Sequence, residues 1–172
     1  MPEENDWVLY APWQDKTMIR NVLAYQLSND MGRYASRTRY VELYLNGDYQ
    51  GIYVLMEKIK RDTERVNISK LNPDEIEGDD LTGGYILKFD WFFTGDNIGG
   101  FQSDNDGTTY NYHYPKPSEI VPEQEEYIQN YIDDFENTML STNYTDEIMG
   151  YPSKIDVESF VDFILVQELA KN

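Results

Sequence analysis

The dipeptide Asn46-Gly47 lies between two runs of alternating apolar residues and constrains the fold more than any other feature of the chain. A type I′ turn needs positive φ at both central residues, which asparagine and glycine tolerate best. Before the turn, Val41, Leu43 and Leu45 alternate with Tyr40, Glu42 and Tyr44; after it, Ile52, Val54 and Met56 alternate with Tyr53, Leu55 and Glu57. A tight loop at Asn46-Gly47 pairs Leu45 with Asp48 and Val41 with Ile52. The aliphatic sets are then expected on one face and most of the tyrosines on the other. The second face ends at the ionisable pair Glu57-Lys58, which makes it the place to look for chemistry.

Around this hairpin the rest of the chain reads as α+β. Asp6 to Trp13 reads as a short strand and turn, with Trp7, Val8, Leu9 and Tyr10 ended by Pro12, and a helix is expected from Asp15 as N-cap, with Ile19, Val22, Leu23, Gln26 and Leu27 at helical spacing and Gly32 as the stop. Residues 60–80 are charged and loop-like. Gly83 to Asp90 reads as a strand with Tyr85, Leu87 and Phe89 on one face; Tyr110 to Tyr114 is another. Pro122 at a first helical position opens a long amphipathic helix whose stripe is Tyr127, Ile128, Tyr131, Ile132, Phe135 and Met139. A short helix is expected over 146–150. The last helix, Asp156 to Lys171, is apolar around most of its circumference and is expected to be central and nearly buried.

Composition narrows the function classes. A length of 172 residues is one domain's worth of chain, and 40% hydrophobic with 15% aromatic residues excludes a disordered chain. No apolar run approaches the ~20 residues of a membrane span. The acidic start, Met1-Pro2-Glu3-Glu4, is unlike an export signal. With no cysteine, disulfides, thiolate metal sites and cysteine nucleophiles are excluded. A net charge of −18 repels a phosphate backbone, so nucleic acid is not an expected partner. Such a field favours cationic partners or metal ions, unless it serves only solubility.

The common catalytic motifs are missing: no P-loop, no dinucleotide-binding glycine motif, no HExxH and no GxSxG. The single histidine, His113, lies in an expected strand among tyrosines. Asp104-Asn105-Asp106-Gly107 only half resembles a calcium loop, lacking the closing glutamate. What stands out is a small set of cations in an acidic chain: Arg20, Lys58, Lys88 and Lys116. A strand lysine held by a glutamate is one way to grip nucleotide phosphates. Read residue by residue, the favoured reading of each is a strand-end or surface cation.

Four blocks, in order, carry a resemblance. They are Asp15-Lys16-Thr17-Met18-Ile19-Arg20-Asn21, Leu45 through Ile59, Gly83-Gly84-Tyr85-Ile86-Leu87, and Phe160-Val161-Asp162-Phe163 with Glu168-Leu169-Ala170-Lys171-Asn172. Together they resemble the successive motifs of the CotH (spore coat protein H) kinase-like family, over nearly the whole chain; the pattern NGxYxGxYxxxExI is the most specific. The resemblance implies a divergent protein-kinase-like fold using ATP with Mg2+ or Mn2+. It implies transfer of the γ-phosphoryl group to serine or threonine of a protein, with a bacterial extracellular or cell-surface address. On the matching positions Arg20 and Lys58 become candidate phosphate contacts, Glu57 the partner that orients a cation, and Lys88 a further candidate on the neighbouring strand.

The chain departs from the family pattern at its end. The family's catalytic aspartate and its metal motif are expected downstream of Asn172, so residues 1–172 are expected to be the N-terminal part of the kinase-like domain, inactive or nearly so alone. An acidic enzyme suits Lys/Arg- and Ser-rich protein substrates, because unlike charges speed encounter. The competing reading is a non-catalytic extracellular module, its fifteen tyrosines and three tryptophans binding carbohydrate or protein.

Overall fold

A computed structural model describes residues 1–89 and 99–170. Residues 90–98, Lys171 and Asn172 lie outside the described residues, and with them Asp90, the end of the strand expected from Gly83. In chain order the elements are β1 (Trp7–Tyr10), α1 (Arg20–Asp30), β2 (Thr38–Leu45), β3 (Asp48–Glu57), α2 (Gly78–Leu81), β4 (Ile86–Lys88), β5 (Gly100–Gln102), β6 (Thr109–Tyr114), α3 (Pro122–Leu140) and α4 (Val157–Ala170). Residues 146–150, expected to be helical, form turns instead, and a turn of 3₁₀ helix follows at Tyr151–Ser153. The class is α+β, with antiparallel sheets.

The chain forms two compact units. The first comprises Met1–Ile59, Glu64–Val66 and Asp156–Asn172; the second comprises Lys60–Thr63 and Asn67–Ile155.

In the first unit a three-stranded antiparallel sheet has the order β1-β3-β2. The β2–β3 turn has φ of +53° at Asn46 and +90° at Gly47, and Leu45 pairs with Asp48. Further along, the register departs from the simple expectation: Val41 lies opposite Tyr53, not Ile52. The extra residue is Gln50, taken up between Tyr44↔Tyr49 and Leu43↔Gly51, with Gly51 at a φ of +108°. A bulge of this kind moves every later side chain on β3 across the sheet. Val41 and Leu43 therefore share a face with Tyr53, Leu55 and Glu57, while Tyr40, Glu42 and Tyr44 share the other with Val54, Ile52 and Tyr49.

Helix α1 starts at Arg20, later than the expected Asp15. Asp15 closes a loop first: its carbonyl accepts the Met18 N–H at 2.9 Å, with Met18 at a φ of +57°. Its carboxylate then accepts the N–H (3.1 Å) and hydroxyl (2.6 Å) of Thr17 and the N–H of Arg20 (3.0 Å). Asp15 caps the helix from outside it, satisfying a donor that has no intrahelical partner.

Helix α1 packs on α4, with Ala24 of one and Val166 of the other buried. Val166 is the single buried residue among those of α4, so the expectation of a nearly buried last helix is corrected. Phe160, Val161, Phe163, Ile164, Leu165 and Leu169 are all exposed. One neighbouring helix covers one stripe, and α4 is apolar on several.

The second unit holds a separate sheet of order β4-β6-β5. Rings pack across it, with Phe101 stacked on Tyr110 at 5.1 Å between centroids and Tyr112 buried. Helix α3 begins at Pro122 as expected, but its anchor is polar. Gln124 is fully buried, and its amide donates to the carbonyls of Asn72 (2.7 Å) and Glu75 (3.1 Å). Of the expected stripe, Ile128 is buried whereas Tyr131 and Met139 are exposed. The half-resemblance to a calcium loop becomes a hydrogen-bonded turn instead. Glu136 accepts from Ser103, Asn105 (3.0 Å) and Tyr110 (2.8 Å), and the Asp106 carboxylate accepts the Thr108 N–H at 2.8 Å.

Candidate functional site

The end of β3 carries a buried ion pair. Glu57, 1% exposed, is the last residue of the central strand and lies opposite Trp7 of β1. A buried carboxylate needs a cation or several donors to persist. Arg37, one residue before β2, supplies both: its Nε lies 3.0 Å from each carboxylate oxygen, and its backbone N–H donates to Oε2 at 3.1 Å. The Tyr34 hydroxyl donates to the same Oε2 at 3.4 Å. The Glu57 N–H returns a bond to the Arg37 carbonyl at 3.2 Å, so the two residues are tied at backbone and side chain. Burial, reinforced by the Glu57 charge, pushes the Tyr34 phenol up to about 12. The hydrogen bond to Glu57 raises Arg37 further above its already high range.

A second arginine braces the same corner. Arg65 is buried; its guanidinium donates to the carbonyls of Lys58 (2.6 Å) and Asp6 (2.9 Å) and stacks over the Trp7 ring at 5.6 Å. Lys58 itself is exposed, with its N–H directed to the Asp6 carbonyl at 3.4 Å. The strand end is thus fixed on both sides while the Lys58 ammonium is left at the surface.

The remaining candidates are placed differently. Arg20 is exposed at the first turn of α1, and among the described residues no hydrogen bond or ion pair joins it to Glu57 or Lys58. Lys88 ends β4, which pairs with β6 in the sheet of the second unit, so it is not on a strand next to β3. Lys116 is exposed and pairs with Glu119 at 3.2 Å. The structure therefore joins Glu57 and Lys58 through one strand end, and no hydrogen bond or ion pair shown among the described residues ties Arg20 to it.

The sequence reading missed Arg37, Tyr34 and Arg65. A usable signal for Arg37 exists: it stands just before a strand whose partner ends in a glutamate, in a chain with few cations. Arg65 lies in the charged stretch read as loop, where nothing local marks burial.

A cavity of about 660 Å3 opens in the same unit between α1, the segment after it, and α4. Tyr34 and Ser36 line it, as does Ile59 beyond Lys58; Glu57, Arg37 and Lys58 do not. At its wall Arg33 is held by Asp162 at 2.8 Å and by Asp156 at 3.6 Å. Among the described residues no group of three or more histidines or carboxylates is arranged to hold a metal ion. None of the helices described is long and apolar enough to cross a membrane.

No curated protein and no solved structure matches the chain. The family described as CotH kinase protein does match, over residues 1–172, the whole length. The chain belongs to the CotH kinase protein family.

Proposed function

We propose that residues 1–172 form part of a divergent protein-kinase-like domain. Its reaction is transfer of the γ-phosphoryl group of ATP to serine or threonine of a secreted or surface protein of a bacterium. The observation that carries this reading is membership of the CotH kinase family over the full chain. The β3 end is consistent with it: Glu57 is locked by Arg37 and holds the strand end rigidly, so Lys58 projects from a fixed base. Phosphoryl transfer asks a protein chiefly for positioned cations against the charge of the phosphates. Lys58 and Arg20, both in the first unit, are the residues offered for that role. ATP supplies the phosphoryl group; the described residues do not fit a divalent metal, and no step through one is assigned to them.

The test is labelled ATP with Mg2+ or Mn2+ and a Lys/Arg- and Ser-rich peptide, using the polypeptide that carries residues 1–172 and its Lys58→Ala variant. Labelling that falls at least about tenfold in Lys58→Ala supports the reading, since one positioned charged contact commonly contributes that much. No labelling with either metal overturns it.

One observation favours a second, non-catalytic reading. On the hairpin, Tyr44 (58% exposed) and Tyr49 (53% exposed) lie 5.2 Å apart beside exposed Ile52 and Tyr40, a surface suited to a sugar ring or a protein partner. Glycan binding lost in Tyr44→Ala, with no nucleotide-induced thermal shift, is the outcome that selects it.

A further inference from the structure

Where α3 ends, the chain folds a tight loop that turns apolar side chains outward. The Asp146 carboxylate accepts the N–H groups of Ile148 and Met149, each at 2.9 Å, and the Tyr151 N–H returns to the Tyr144 carbonyl at 2.9 Å. Gly150 closes the base: it is buried, and a Cβ there meets the Tyr144 carbonyl oxygen at 2.3 Å. The loop is thus fixed through its backbone, not by burying its side chains. Ile148 is 83% exposed and Met149 68%, and Leu140 at the end of α3 is exposed too. Ile148 and Met149 line an open groove of about 470 Å3 with Asp134, Asn137, Thr138 and Ser141. Large apolar side chains held in place at the surface mark an interaction site, because little further ordering is needed when a partner binds.

The surrounding charge selects the occupant. From Pro117 to Ser153 the sequence has nine carboxylates and no lysine, arginine or histidine. Asp146 and Glu147 immediately precede the apolar pair, and Lys154, the cation in the groove lining, is matched in charge by Asp134. A net charge of −18 opposes a second copy of the chain in this position. We propose that this groove docks a cationic peptide segment of a partner protein, with an aliphatic side chain laid against Ile148 and Met149 and flanking arginines or lysines facing Asp146 and Glu147. The unbranched thioether of Met149 lets the contact adapt to aliphatic guests of different shape. All the lining residues belong to the second unit, and the proposal does not rest on the phosphoryl-transfer reading.

The probe is the peptide Arg-Arg-Leu-Arg-Arg, capped at both ends and added without nucleotide in a chemical-shift titration at ~0.15 M salt. Saturable shifts of the backbone amides over 141–150 are expected, and they give the affinity. Replacing the peptide's leucine by glycine, or the protein's pair by Ile148→Ser with Met149→Ser, weakens binding about tenfold, the worth of a largely buried aliphatic contact. Circular dichroism reports that the double variant is folded. In the unaltered protein the methyl resonances of Ile148 and Met149 move with added peptide, while those of buried Ile128 stay in place. Glu147→Lys weakens binding about two- to fivefold. Glu123→Lys changes the net charge equally but leaves binding unchanged, because Glu123 lies roughly 21 Å along α3 from Asn137, beyond the Debye length of about 8 Å. The proposal is overturned by equal binding of the glycine peptide, by unchanged affinity in the double variant, or by equal effects of the two glutamate variants. It is overturned as well by methyl resonances that do not respond, by tighter binding of Glu-Glu-Leu-Glu-Glu, or by a dimer that the double variant abolishes, which identifies a second copy as the occupant.

Discussion

Replacing Arg37 with alanine tests how the β3 end is held. Glu57 is 1% exposed and takes two contacts of 3.0 Å from the Arg37 Nε. Arg37→Ala removes both and leaves the carboxylate with the Arg37 backbone N–H at 3.1 Å and the Tyr34 hydroxyl at 3.4 Å. Breaking a buried ion pair from one side costs roughly 3–5 kcal/mol. Two features place the cost at the low end: the backbone bond survives, and the Arg37 side chain is 34% exposed, so water reaches the vacated position. A loss of about 3 kcal/mol is expected. In urea, with a slope of roughly 1–3 kcal/mol per molar, the midpoint falls by ~1–3 M when followed by tryptophan fluorescence. The double variant Arg37→Leu with Glu57→Leu removes both charges and is expected to lie within about 1 kcal/mol of the parent, because no uncompensated ion remains. Arg37→Lys lies between, since an ammonium cannot reproduce the planar contact with both oxygens. If Arg37→Ala costs no more than the double variant, the carboxylate is not held in the way described.

Alkaline titration reads the buried phenols. Tyr34, Tyr85 and Tyr112 are each pushed up to about 12, chiefly by burial, so the folded state keeps protons that the unfolded chain releases near 10. Their contribution to stability is complete below pH 10 and is lost as pH rises towards 12, and absorbance at ~295 nm is expected to show a late-ionising fraction that disappears on unfolding. Gly84→Ala is expected to lower the melting temperature more than Gly47→Ala. Both carry positive φ, +84° and +90°, but a Cβ at Gly84 meets the Ser69 carbonyl oxygen at 2.5 Å whereas one at Gly47 meets nothing within 4 Å. Strain alone is worth ~1 kcal/mol and the collision adds to it, so similar melting temperatures would refute the packing at Gly84. Asp15→Ala is expected to speed amide exchange at both Thr17 and Arg20, whereas Asp15→Asn keeps protection at only one of them, since the two N–H groups donate to different carboxylate oxygens and an amide retains a single acceptor.

What the sequence disclosed was the local part of the fold. The turn at Asn46-Gly47 was readable because its residues alone decide its φ angles. The bulge at Gln50 was not: tyrosine sits equally well on either face, so the alternation around it tolerates a slip of one residue without an obvious penalty. Asp15 was recognisable as a capping residue, but its loop to Met18 displaces the helix start to Arg20. Lys88 was placed beside β3 because chain order does not say which strands share a sheet; pairing with β6 is a long-range choice. Arg37 and Ser36 occupy non-periodic chain ahead of β2, where spacing carries no information about burial.

The order β1-β3-β2 puts Val54 through Glu57 between two partner strands, so both rows of their backbone groups are engaged within the sheet or at its end. Local opening events begin at outer strands and move inward. The carboxylate that anchors the site is therefore mounted on the central strand, at the end away from the turn, and fraying of the hairpin tip would leave its geometry standing.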